Sequence, residues 1–168
     1  MTLKTKGIYK PYSIINKMTL MKKLHVLLVE DNQGDIVITL EALNETHSIR
    51  KISVATDGDE AIHFLENLNN SKEADFPDII FMDTYLQKMD GYDVLKYIKT
   101  THFLRHIPVI ISTDSSYQND INNAYLNMAN AFVIKSGEVD VYINHISKTI
   151  EYWTTIATLP TMNKVVSY

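Results

Sequence analysis

Short apolar runs recur along the chain, and stretches of helical spacing separate them. Val26 to Val29, at the end of a strand from Leu24, Ile79 to Met82, Val109 to Ile111 and Ala131 to Ile134 are continuous apolar runs, and Ile52 to Ala55 reads as another strand. Between them the period changes. Ile36, Leu40 and Leu43 fall on one helical face over residues 35–43, and Ala61, Ile62, Leu65 and Leu68 do so after an Asp57-Gly58 turn and a helix start at Asp59. Val94, Leu95 and Ile98 mark a third helix after Asp90-Gly91. Ile121, Ala124, Tyr125 and Met128 mark a fourth, and Val139, Tyr142, Ile143, Ile146, Ile150 and Trp153 a fifth.

Five strands alternating with five helices predict βαβ units with right-handed crossovers and a parallel sheet covered on both faces. Strands that are apolar throughout fit burial on both sides. A polar connector, Asn69 to Asp75, precedes the third strand, and nothing marks a repeat or a second domain.

The 168 residues suit one domain with a core that needs no covalent staple. The absence of cysteine excludes disulfides, thiolate metal sites and a thiol nucleophile. A net charge of −4 argues against general nucleic-acid binding. No apolar stretch approaches membrane-spanning length. Lys4, Lys6, Lys10 and Lys17 lie in a first segment without the apolar centre of a signal peptide, so the expectation is a cytoplasmic protein. Residues 1–22 are expected to be a peripheral extension and 158–168 a tail, around one domain at 23–157. The six histidines have no metal-ligand spacing, and His63 and His102 read as surface residues. Gly34 and Gly58 match no phosphate-binding loop.

The ends of the apolar runs carry the chemistry. The first stops at Glu30-Asp31, the third at Asp83, the fourth at Ser112-Thr113 and the last at Lys135. Parallel strands place their carboxyl ends on one edge, so three acids, a hydroxyl and an ammonium would share a crevice. Crowded carboxylates resist ionisation together, and a hard divalent cation relieves that repulsion. Such a site suits phosphoryl transfer, which depends on positioning and electrostatics.

Taken in order, Leu28-Val29-Glu30-Asp31-Asn32, Phe81-Met82-Asp83, Lys88-Met89-Asp90-Gly91, Pro108-Val109-Ile110-Ile111-Ser112-Thr113 and Lys135 make residues 23 to about 157 resemble a response-regulator receiver domain of two-component signalling. Glu30-Asp31-Asn32-Gln33-Gly34-Asp35 and Ile150-Glu151-Tyr152-Trp153 resemble the single-domain regulators that serve phytochrome-type sensor kinases. The resemblance implies a flavodoxin-like, doubly wound sheet of order 2-1-3-4-5. It implies that Asp83 accepts a phosphoryl group from a sensor histidine kinase. Mg²⁺ would be held by Asp31 and Asp83 directly, by Glu30 through water and by the main-chain carbonyl of Tyr85. Thr113 and Lys135 would each bind a phosphoryl oxygen, and Phe132 would be the aromatic switch. Some such regulators form homodimers through the last strand and last helices, where Tyr117, Tyr125, Tyr142 and Tyr152 fall. Output would pass to a downstream protein or a phosphotransfer protein, since no DNA-binding module follows the last helix.

The sequence departs from the family at four positions. Ser136 stands where a proline, often preceded by a cis bond, is usual; a cis bond before serine costs about 3–4 kcal/mol. Asp114 adds charge after Thr113, Gln87 replaces a common proline, and Tyr85 is bulky where hydrolysis is tuned. Two other readings compete. An aspartyl phosphohydrolase would need a second acid two residues after the nucleophile, where Tyr85 stands, and a phosphorylation-independent binding module would keep only the scaffold.

Overall fold

The computed structural model describes residues 23–71 and 74–160. The expectations for residues 1–22 and for the end of the tail lie outside the described residues. The elements are β1 (Leu24–Val29), α1 (Gln33–Glu45), β2 (Ile49–Ala55), α2 (Gly58–Asn70), β3 (Ile79–Met82), α3 (Gly91–Thr100), β4 (Val109–Thr113), α4 (Gln118–Leu126), β5 (Ala131–Ile134) and α5 (Val139–Thr155). All neighbouring strands are parallel and the order is β2-β1-β3-β4-β5. This is the flavodoxin-like, doubly wound sheet that the alternating pattern and the resemblance predict.

Alternation along the strands divides the core in two. Leu27, Val29, Ile80, Met82 and Ile111 pack with α2, α3 and Ala124 on one face. Leu24, Val26, Leu28, Phe81 and Ile110 pack with α1 and α5 on the other. Among the described residues no helix is long and apolar enough to cross a membrane.

Three local expectations need correction. β2 starts at Ile49, paired with Leu24, and takes in the exposed Arg50 and Lys51. An edge strand has an open flank that tolerates such residues. Asp57-Gly58 is a helix cap rather than a free turn: the Asp57 carboxylate accepts from Glu60 N at 2.8 Å. The α4 stripe does not form as predicted. Of Ile121, Ala124, Tyr125 and Met128, only Ala124 is buried, and Met128 lies past the helix end at φ 66°.

Gly91 opens α3 against the end of β3. A Cβ there would lie 2.4 Å from the Asp83 carbonyl oxygen and 2.6 Å from Thr84 Cα, both backbone atoms. Gly91→Ala is therefore expected to lower unfolding free energy in urea by about 2 kcal/mol or more. Unchanged stability would show that α3 can move back freely.

At the opposite end of the sheet, Arg50 binds Asp75 through two hydrogen bonds of 2.7 and 3.1 Å, and Lys51 adds a third at 3.2 Å. The Arg50 hydrogen bonds hold the Asp75 carboxyl down at about 2. A depressed carboxyl contributes stability above its unfolded pKa and loses it as pH falls through the folded one. The Asp75 side chain is 39% exposed, so screening cuts the contribution to about 1 kcal/mol. The stability difference between the parent and Asp75→Asn should accordingly be present at pH 6 and fade between pH 4 and 2. A difference constant with pH would refute this.

Candidate phosphoryl-acceptor site

The strand ladders continue one residue beyond the strands and so fix the positions of the residues at their ends. Glu30 N donates to Ala55 O at 3.0 Å, Asp83 N to Val29 O at 3.0 Å and Lys135 N to Thr113 O at 2.8 Å. Three residues from three strand ends are thereby pinned on one rim. Asn32 caps α1 by accepting from Gly34 N and Asp35 N at 2.8 and 3.2 Å, which sets Asp35 in the first turn facing the same rim.

The side chains converge on Lys135. Its Nζ donates to Asp83 Oδ2 at 2.6 Å, Glu30 Oε2 at 2.7 Å and Asp35 Oδ2 at 2.7 Å. Glu30, Asp83 and Lys135 are buried. Burial opposes the Lys135 charge, but the hydrogen bonds it donates to the three carboxylates outweigh it and hold its pKa well above the usual lysine range. Burial pushes Glu30 up to about 7, against the lowering effect of Lys135. Three carboxylates around one ammonium leave excess negative charge.

One carboxylate oxygen from each of Glu30, Asp35 and Asp83 lies within 4.8 Å of the other two. An all-oxygen, anionic donor set fits a hard divalent cation. Asp31 takes a different direction: its carboxylate accepts from Gln87 N at 3.1 Å, across from the loop after β3. Tyr85 N donates to Asp83 Oδ1 at 3.0 Å, and the exposed Tyr85 ring reaches Asp120 Oδ2 at 3.1 Å. Thr113 is fully buried and its hydroxyl accepts from Thr84 Oγ1 at 3.2 Å. Phe132 pairs with Ile111 and packs, half-buried, on the α2–α4 side of the core. No described peptide bond is cis, so the bond before Ser136 is trans while Lys135 points into the carboxylates.

Sequence reasoning did not single out Asp35 or Asp120. An acid in the first turn of a helix ordinarily reads as a response to the helix dipole, and both residues occupy such positions. Lys88, read from the sequence only as part of a motif, has a further role: its ammonium pairs with the Asp57 carboxylate and ties the loop after β3 to the cap of α2.

Known proteins resemble this chain over most of its length. The crystal structure of the phosphorylated cyanobacterial phytochrome response regulator RcpA superposes with a TM-score of 0.77 at 32% identity, covering 83% of this chain and 99% of that one. The Mn²⁺-bound form of response regulator Rcp1 gives 0.75 at 28% identity, covering 82% and 99%. Among curated proteins, Rcp1 of Synechocystis sp. is 29% identical over 135 residues, 80% of this chain and 92% of that protein. The probable methanogenesis regulatory protein FilR2 of Methanothrix harundinacea is 31% identical over 128 residues, 76% of this chain and 82% of that protein. Residues 26–147 match the family model of the response regulator receiver domain, and with the fold and the strand-end cluster in place the chain belongs to that family.

Proposed function

We propose that this chain is a single-domain response regulator that accepts a phosphoryl group on Asp83 from a sensor histidine kinase of phytochrome type, in a Mg²⁺-dependent reaction. One observation carries the reading: the buried Asp83 carboxylate lies 2.6 Å from an ammonium that also binds two further carboxylates. An Asp83 oxygen attacks the phosphorus of the kinase phosphohistidine. The new O–P bond forms as the N–P bond breaks, and the imidazole leaves with the electron pair and takes up a proton.

Glu30, Asp35 and Asp83, whose oxygens already lie together, and the Tyr85 carbonyl would hold Mg²⁺, and Asp31 would turn from Gln87 N to join them. When bound, the ion neutralises charge on the transferring group. Lys135 holds Asp83 in place before transfer and pairs with a phosphoryl oxygen afterwards. Thr113 exchanges its Thr84 partner for another phosphoryl oxygen, and Phe132 turns inward as Thr113 moves. The protein gains and loses one phosphoryl group rather than turning over a substrate, and it acts in the cytoplasm on a downstream protein or phosphotransfer partner. Tyr125 and Leu126 on α4, Ile134 on β5 and Tyr152 on α5 are exposed, which supports a homodimer through these elements.

Incubation with Mg²⁺ and acetyl phosphate tests this, with intact mass and solution size as readouts. The expected result is a single phosphoryl adduct on Asp83 that requires Mg²⁺. A protein that never gains mass is a binding module that keeps only the scaffold. Asp114 is exposed beside the crevice, and its charge repels small anionic donors. Asp114→Ala should therefore react with acetyl phosphate about two- to fivefold faster at low ionic strength. An equal or slower rate would remove that role.

A further inference from the structure

Helix α4 is seated by polar contacts more than by burial. Ala124 is its one buried residue, while Gln118, Asn119, Asn122, Asn123, Tyr125 and Leu126 are exposed. One buried alanine supplies little apolar area, so other contacts must fix the helix.

Those contacts converge on Asp120 in the first turn. Its carboxylate oxygen Oδ2 accepts from the Tyr85 hydroxyl at 3.1 Å and from the Ser115 hydroxyl, and its main-chain carbonyl accepts from the Tyr92 hydroxyl at 2.9 Å. Ser115 Oγ also accepts from Tyr117 N at 3.3 Å, which closes the turn leading into the helix.

Two of the three donors approach from the two sides of the acceptor. Tyr85 follows Asp83, and its N–H donates to Asp83 Oδ1 at 3.0 Å. Ser115 follows Thr113, whose hydroxyl is bonded to Thr84 next to Asp83. A new group on the Asp83 carboxylate must be accommodated by the Tyr85 peptide or by the Thr113 strand end. Either adjustment draws a donor away from Asp120.

We propose that Asp120 is a positioning residue that couples α4 to Asp83 through the Tyr85 and Ser115 hydroxyls. Loss of either contact releases the helix. The coupling rests on Asp83 being the phosphoryl acceptor, whereas the clasp itself does not.

Amide hydrogen exchange over residues 118–126 of the full chain tests both the clasp and the coupling. Without phosphodonor, Tyr85→Phe and Asp120→Ala are expected to exchange about three- to tenfold faster than the parent, the effect of losing one hydrogen bond or a few. Tyr85→Phe keeps an exposed ring in place, so it guards against loss of fold as the cause. Asp120→Asn retains an acceptor oxygen and should stay within about twofold of the parent. Acetyl phosphate with Mg²⁺ should accelerate exchange in the parent to a similar degree and add less than about twofold in Asp120→Ala, with mass gain recorded on the same samples.

Parent-like exchange in both Tyr85→Phe and Asp120→Ala overturns the clasp. So does an Asp120→Asn rate equal to that of Asp120→Ala. Equal acceleration by the donor in parent and Asp120→Ala overturns the coupling. A parent that gains no mass overturns the acceptor reading and the coupling together, and the untreated variants still decide the clasp.

Discussion

Asp83→Asn should take up no phosphoryl group under conditions that fully modify the parent. The amide is nearly the same size, and its oxygen can still accept from Tyr85 N, now 3.0 Å from Asp83 Oδ1. Its nitrogen lone pair is delocalised and presents no nucleophile to phosphorus. Transfer to a carboxylate leaves a covalent adduct, so intact mass reads the result without an assay of turnover. Circular dichroism of the variant should match the parent, separating loss of chemistry from loss of fold. A variant that still gains the adduct would place the acceptor elsewhere in the chain, and the role assigned to the strand-end cluster would fall.

Lys135→Met should produce the largest change in stability. In the parent one buried ammonium serves Glu30, Asp35 and Asp83. Removing it leaves buried carboxylates facing one another, and breaking a buried ion pair from one side costs about 3–5 kcal/mol. Protonation of Glu30, which burial already favours, keeps the loss near the lower end. In a domain of this size the midpoint of thermal unfolding should drop by roughly 10 °C. Millimolar Mg²⁺ should raise the midpoint more in the variant than in the parent, because the ammonium and a divalent cation compete for the same oxygens. Equal shifts with Mg²⁺ in both proteins would mean that the cation binds elsewhere. An unchanged midpoint without Mg²⁺ would mean that Lys135 contributes nothing net to the fold.

The strands were legible because burial on both faces removes ambiguity. Leu24 to Val29 and Ile79 to Met82 have no polar position save His25, and each became a fully buried strand. The rim chemistry followed, since a parallel sheet leaves each strand's last residue little choice of edge. Side-chain direction did not follow. Asp31 and Asp35 are four residues apart, yet one accepts from Gln87 and the other meets Lys135. The difference arises where the loop turns into α1 at Asn32, and backbone angles there are not written in residue type. The α4 stripe misled for a related reason. Helical spacing at Ile121, Ala124, Tyr125 and Met128 describes a face, but how far that face sinks depends on tertiary contacts such as those at Asp120.

The two flanks of the sheet are unequal. β2 carries Arg50 and Lys51 next to each other at its start, both exposed and both bonded to Asp75. Sheet extension from that side would bring the same cations of two molecules together, and mutual repulsion discourages it. β5 reads Ala-Phe-Val-Ile with no charge of its own, and the lysine that follows is turned inward. Colloidal self-association, in fibrils or amorphous precipitate, would accordingly begin from the uncharged margin and spare the basic one.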